Sequence, residues 1–339
     1  MILHNRINRD VLKAAMQASQ EARRTLSFYK YHQLPDPHAF RDYMYEAYAR
    51  LGVLGRVYIA REGVNAQISV PEHHWTAFKG WMDSVDFLRG VRLNIAVEDD
   101  GKSFFKLKIK VRAKIVADGL DDAAFDSSQS GTHLDAAAFN EITSRPETLL
   151  VDMRNHYESE VGHFEGAICP DVDTFRESLP VVVEMLAPYR DRPVVMYCTG
   201  GIRCEKASAW LRHNGFQDVY QLDGGIIQYA RQVQAEGLPN KFKGTNFVFD
   251  ERLGERISGE IIAHCHQCGT PYDHHVNCRN VACNLLFIQC PSCAEVHEGC
   301  CSPACQEVIH LPEDLQRERR KGTDPGIRIF SKGRITRKG

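Results

Sequence analysis

The chain has 339 residues, with 42 Lys and Arg against 44 Asp and Glu and a formal net charge of -2. Its 43% hydrophobic and 25% charged residues are those of a globular protein of roughly two domains, which excludes a collagen-like or a disordered polymer. No apolar run approaches the roughly 18 residues of a membrane span, and residues 1–24 are charged throughout without a secretory apolar core, so the chain reads as cytoplasmic with no membrane partner.

Taken in order, residues 26–34 (LSFYKYHQL) predict a strand, and residues 35–52 a helix opened by Pro and closed by Gly52. Residues 55–70 predict two short strands around Glu62-Gly63, and residues 71–85 a second helix. Residues 93–100 and 102–116 return to strand. This β-α-β-β-α-β order is that of a ferredoxin-like α+β domain. Residues 118–131 (DGLDDAAFDSSQSG) are polar and contain glycine, as a linker does.

From His133 to about Glu236 the pattern turns to α/β. TLLVDMR and PVVMYC are apolar runs suited to buried parallel strands, CEKASAWLRHNGF is a helix ending at Gly215, and DVYQLDGGI is a further strand and turn. A cysteine-rich stretch and a basic tail follow. The divisions fall at 1–125, 126–236, 237–312 and 313–339.

The stretch MYCTGGIRCEKA (196–207) carries chemistry. A strand delivers Cys198 to a loop, Thr199, Gly200, Gly201 and Ile202, and Arg203 opens the next helix. Loop N–H groups converging on one point, with a helix N-terminus behind them, hold an anion. A thiolate placed there has a lowered pKa and is a nucleophile at neutral pH. Arg203 is expected at the rim as an anion clamp.

Four residues separate Cys198 from Arg203, where cysteine phosphatases have five. This shorter loop resembles the rhodanese active loop. LLVDMRNHYESEVGHFEGAI resembles the rhodanese opening motif through Asp152, Arg154, Glu158, Gly162, His163, Gly166 and Ala167, and GFQDVYQLDGGI resembles its final strand and turn. Cys204 is a second thiol beside the loop, either a packing residue or one that resolves an oxidised Cys198. His163 reads as structural and Cys169 as filler.

Nine of the twelve cysteines fall between Cys265 and Cys305. In a chain without an export signal this favours metal over disulfides. Four close pairs, Cys265/Cys268, Cys278/Cys283, Cys290/Cys293 and Cys301/Cys305, supply thiolates for two structural zinc ions. The spacing suggests that Cys265/Cys268 join Cys290/Cys293 while Cys278/Cys283 join Cys301/Cys305, although a sequential pairing also satisfies it. Cys300 competes with Cys301 as ligand, and His264, His266, His275 and His297 are reserves.

In KLKIKVRAK, Lys106, Lys108, Lys110, Arg112 and Lys114 alternate with apolar residues, so on a strand all five point one way. Five like charges without an interleaved acid suit a polyanion. The tail adds Arg317, Arg319, Arg320, Lys321, Arg328, Lys332, Arg334, Arg337 and Lys338, a composition expected to be disordered and to meet nucleic acid.

From about Leu26 onward, AREGVNAQISV, MYCTGGIRCEKA, GTNFVFDERLGERI, HCHQCGTPYDHHVNC and LLFIQCPSCAEVHEGCCSPAC, in this order, resemble the rhodanese-like, oxygen-dependent tRNA uridine hydroxylases. The resemblance implies a multidomain α/β chain: a ferredoxin-like N-terminal domain, a rhodanese-like domain with a parallel sheet, and a cysteine-rich zinc module. It implies tRNA as partner, dioxygen as co-substrate, 5-hydroxyuridine at the wobble position as product, and Cys198 as the reactive residue. No flavin or nicotinamide fingerprint is present in the sequence. A persulfide-carrying sulfurtransferase and a non-catalytic RNA adaptor are the competing readings, and the oligomeric state stays open.

Overall fold

The computed structural model describes residues 7–120, 129–322 and 328–329. The first element among the described residues is helix α1 (Arg9–Ala18), which the sequence patterns did not pick out. The first domain follows as β1 (Arg23–Tyr31), α2 (Pro37–Arg50), β2 (Leu54–Ala60), β3 (Gly63–Pro71), α3 (Trp75–Ser84), β4 (Asn94–Ile95) and β5 (Leu107–Val111). Asp36 caps α2, accepting from the N–H groups of His38 and Ala39, and Pro37 supplies a first residue that needs no donor. The sheet order is β4-β1-β3-β2-β5. The first four strands have the expected ferredoxin-like arrangement, and β5 adds a parallel fifth strand on β2.

Two expected strands are shorter than their patterns. Of residues 93–100 only Asn94–Ile95 pair with β1, because Asp99 turns back to bind the backbone N–H and hydroxyl of Thr25. Of residues 102–116 only Leu107–Val111 form a strand. Beyond it the Ile115 N–H donates to Glu62 and the Lys114 ammonium turns to Asp118 and the Leu120 carbonyl, which draws the chain off the sheet.

Leu26 and Phe28 of β1 and Ala66 and Ile68 of β3 point into a core shared with α2 and α3. Strand alternation sends Ser27, Tyr29, Asn65 and Gln67 to the other face, away from α2 and α3.

The second domain contains β6 (Thr132–Leu134), α4 (Ala136–Ile142), β7 (Leu149–Asp152), α5 (His156–Val161), β8 (Gly162–Phe164), α6 (Phe175–Leu186), β9 (Val194–Tyr197), α7 (Ile202–His213), β10 (Val219–Leu222) and α8 (Gly225–Glu236). Its parallel sheet, β6-β10-β9-β7, is the α/β core expected. β9 is buried on both sides. Val194 and Met196 meet α6 and α7, while Val195 and Tyr197 meet α4 and α8. Of the expected linker, Asp118 is buried and Gly131 donates to Ser208, while residues 121–128 lie outside the described residues.

β11 (Phe242–Asn246) pairs with β8, which stitches the third segment onto the second domain, and β12 (Glu255–Arg256) pairs with β11. The cysteine-rich part is built on β13 (His275–Asn277), β14 (Leu285–Ile288), α9 (Pro291–Val296) and α10 (Pro303–Ile309). The tail is not disordered at its start: residues 313–320 form α11 (Glu313–Arg320), with acids in its first turn and arginines in its last, as the helix dipole favours. β15 (Arg328–Ile329) pairs with β14, and Lys332, Arg334, Arg337 and Lys338 lie outside the described residues. No described helix is long and apolar enough to cross a membrane.

Candidate active site and metal centres

Cys198 stands at the end of β9, where the buried strand gives way to the loop. Gly201 has φ of 97°, a conformation that favours glycine, and a Cβ there would meet the Tyr29 hydroxyl at 2.9 Å. Its N–H donates to the Cys198 sulfur at 3.2 Å. The first N–H groups of α8 anchor the loop from behind, Ile226 to the Cys198 carbonyl at 3.0 Å and Ile227 to that of Thr199 at 3.2 Å. With carbonyls drawn back and amides forward, the loop presents positive dipoles to sulfur.

Burial by itself would raise the Cys198 pKa. The Cys204 thiol, the Arg203 charge and the backbone N–H groups of Arg203 and Cys204 outweigh it and bring the thiol down to about 6. Cys204 carries the opposite shift: burial and the neighbouring Cys198 thiolate hold its proton far above the ordinary range. At neutral pH the pair is a thiolate accepting from a thiol.

Arg203 is not at the rim. Its guanidinium is buried and bidentate to Glu158, at 2.6 and 2.8 Å, with a longer contact to the Thr199 hydroxyl at 3.4 Å. It acts on Cys198 through its charge. Glu158 also accepts from the Asn155 N–H, closing the capping box of α5. The opening-motif resemblance marked Glu158, yet its pairing with Arg203, 45 positions on, was not legible in it. His163 binds the Ser159 carbonyl and Arg154 is clamped by Asp152, both structural roles.

A cavity of about 330 Å³ opens over Cys198. One wall is the loop, Cys198 to Arg203. The opposite wall is the uncovered sheet face of the first domain: Ser27, Tyr29, Asn65, Gln67 and Asn94. Asn94 donates to the Gly200 carbonyl at 3.2 Å and Tyr29 to Glu205 at 2.9 Å, so the sheet is bonded to the loop it covers. Phe249, Asp250, Arg252 and Glu255 complete the cavity, with Arg252 bridging Asp250 and Glu255 at 2.6 Å each. Burial raises Glu255 to about 7 despite that arginine.

Register makes the sheet face continuous. Asn94 lies opposite Ser27, Ser27 opposite Gln67, Gln67 opposite Arg56 and Arg56 opposite Lys108. A second row runs Tyr29, Asn65, Tyr58, Lys110. Its far end is a cleft of about 380 Å³ with Lys106, Lys108 and Lys110 on its wall, sharing Arg56, Tyr58, Phe104 and Asp250 with the cavity.

The cysteines form two groups, Cys265, Cys268, Cys290 and Cys293, and Cys278, Cys283, Cys301 and Cys305, each with its sulfurs within 4.8 Å of one another. The pairing is interleaved. Cys268 and Cys290 stand 3.6 Å apart, Cys283 and Cys301 3.7 Å, and Cys301 and Cys305 3.8 Å. Four metal–sulfur bonds of about 2.3 Å at tetrahedral corners put sulfurs about 3.8 Å apart, so both groups have the dimensions of a tetrathiolate metal site. Cys300 is buried outside both groups.

The sequence matches the UPF0176 acylphosphatase like domain over residues 23–115, the rhodanese-like domain over 135–232 and the rhodanase C-terminal domain over 243–306. Proteins named tRNA uridine(34) hydroxylase are similar over nearly their whole length. The one from Yersinia enterocolitica is 58% identical over 98% of this chain and 95% of its own. The one from Photorhabdus laumondii has the same identity and coverage, and that from Cronobacter sakazakii is 57% identical over 98% and 96%. The chain belongs to the tRNA uridine(34) hydroxylase family.

Seen as a member of that family, the chain brings only part of its basic strand to the site. Lys106, Lys108 and Lys110 face the cleft. Arg112 lies over the Tyr58 ring, at 5.7 Å, and Lys114 is turned to Asp118 at 2.8 Å. The cavity also gathers Ser27 and Asn94, which no motif marked, and Asn65 and Gln67, which lie within AREGVNAQISV but were given no role there. FDERLGERI lines the cavity through Phe249, Asp250, Arg252 and Glu255, and also ties segments together through Arg256 and Asp273 at 2.8 Å.

Proposed function

We propose that this chain hydroxylates C5 of uridine 34, the wobble base of tRNA, with dioxygen as co-substrate and Cys198 as nucleophile. One observation carries the reading: Cys198, its sulfur held by the Gly201 N–H, opens into a cavity that shares Arg56, Tyr58, Phe104 and Asp250 with a cleft bearing Lys106, Lys108 and Lys110. The thiolate adds to C6 of uracil, forming a C6–S bond and placing the electron pair on C5 and O4. Loop amides and the Arg203 charge stabilise the thiolate before it attacks and again when it leaves. C5 takes one oxygen atom, and the other leaves as water with two electrons and two protons from a separate reductant. Loss of the C5 proton with cleavage of the C6–S bond restores the ring and the thiolate.

The phosphates of the anticodon loop lie along Lys106, Lys108 and Lys110, where Coulomb attraction supplies affinity without sequence preference. Each four-cysteine group holds one zinc ion. Four thiolates fill the coordination sphere, so zinc fixes the fold of residues 265–305 and leaves no position for substrate.

The test is nucleoside mass spectrometry on unmodified tRNA incubated with the protein and a reductant under isotopically heavy dioxygen. Heavy oxygen in uridine 34, lost in Cys198→Ser, is the expected result. Thiolated uridine without label, on addition of a persulfide donor, would instead make Cys198 a sulfur carrier. Label retained in full by Cys198→Ser would remove the thiol from the mechanism.

A further inference from the structure

The polar wall above Cys198 contains one side chain whose orientation is dictated from outside the cavity. The Ile115 carbonyl only accepts, and it takes the Asn65 amide N–H at 3.0 Å. The Asn65 oxygen is thereby turned toward Gln67, whose amide nitrogen donates to it at 2.8 Å. A backbone carbonyl thus sets one amide and that amide sets the next. Gln67 keeps a second N–H and its whole carbonyl for the cavity, and it is half-buried there.

We propose that Gln67 reads the base, its oxygen accepting from the uracil N3–H while its remaining N–H donates to O4, so that the site takes uracil and refuses cytosine. The proposal rests on the uridine hydroxylase reading. The sulfur approaches C6 from one face of the ring, and N3 is the ring atom farthest from C6, so the pairing edge is carried sideways, away from Cys198 and toward the polar side chains of the sheet. Uracil presents a donor at N3 beside an acceptor at C4; cytosine presents the reverse. An amide free to rotate would satisfy either base, whereas one held by Asn65 satisfies only one. Cytosine then sets acceptor against acceptor and donor against donor in a half-buried site, which costs more than a lost hydrogen bond.

The experiment compares two anticodon stem-loop RNAs, identical except for U or C at position 34. Binding is read by fluorescence anisotropy, and oxygen transfer by mass spectrometry under heavy dioxygen, for the wild type, Gln67→Leu and Asn65→Ala. Wild type is expected to bind the U34 RNA about 10- to 100-fold more tightly than the C34 RNA, in line with two hydrogen bonds lost and opposed. Gln67→Leu brings the ratio to within about twofold and lowers kcat/KM on U34 by a similar 10- to 100-fold. Asn65→Ala, which leaves Gln67 in place but unheld, lowers the ratio by less. A wild-type ratio near one, or one unchanged in Gln67→Leu, overturns the proposal. A ratio unchanged in Asn65→Ala overturns the orienting role of that residue. If wild type transfers no oxygen to either RNA, the hydroxylase reading fails, while the binding ratio still decides what Gln67 does.

Discussion

At Cys198, burial and local donors act in opposite directions, and the donors win. Because the thiolate is the reactive form, alkylation of Cys198 rises with pH through about 6 and levels off above it, readable by peptide mass spectrometry after iodoacetamide. Cys204→Ala removes a hydrogen bond to a charged sulfur and moves that midpoint up by about one unit. Arg203 and Glu158 shift it in opposite senses. Arg203→Gln removes the neighbouring positive charge and raises the midpoint, whereas Glu158→Gln leaves that charge less neutralised and lowers it. Glu158→Gln also leaves a buried guanidinium short of its partner, which costs about 3 kcal/mol of stability in thermal or denaturant unfolding. The Cys198–Arg203 loop was legible because strand, thiol, glycines and arginine are contiguous. The Glu158–Arg203 pair was not, since spacing does not show which acid meets which base.

At the scale of elements, the first-domain sheet has two faces of different use. Leu26, Phe28, Ala66 and Ile68 pack on helices, while Ser27, Tyr29, Asn65 and Gln67 roof the cavity. β5 extends that roof with charge. Lys108→Gln with Lys110→Gln is expected to raise KM for tRNA about tenfold at near-constant kcat. The double substitution also reduces the slope of log affinity against log salt by about 1.4, at roughly 0.7 per phosphate contact on a single strand. Lys79→Gln on the exposed side of α3, in the helix layer behind the sheet, is the control and leaves both values unchanged. Alternation in KLKIKVRAK revealed this strand and its charged face. Its end could not be read, because Lys114 leaves the row for Asp118 through a bond that only the folded chain makes available.

In the whole molecule, α5 connects the cysteine groups with the loop. Its Glu158 holds Arg203, while Tyr157 and Val161 pack against Phe247, Ala263, Leu286 and Ile288. Glu160 reaches His266, within the first cysteine group, at 2.8 Å. Disturbing that group is therefore expected to reach Cys198 without any metal taking part in the reaction. Elemental analysis should give two zinc ions per chain, falling to one in Cys290→Ser. That variant should unfold at lower temperature and show a lowered alkylation midpoint at Cys198, as Glu158 is drawn off Arg203 and leaves its charge less neutralised. An unchanged midpoint would show that α5 transmits nothing.

Chemistry carried by neighbours in the chain was determined by the sequence alone: the thiol loop, the close cysteine pairs, the alternating strands and the order of the domains. Such features depend on local geometry, which a few consecutive residues set. The tertiary structure decided the interleaved cysteine groups, the withdrawal of Arg203 onto Glu158 and the roof of the cavity. Tyr29 meets Glu205 across 176 positions, and Asn94 meets Gly200 across 106. Contacts at that separation follow from which apolar faces are buried together, and the polar residues left uncovered by that burial become the site.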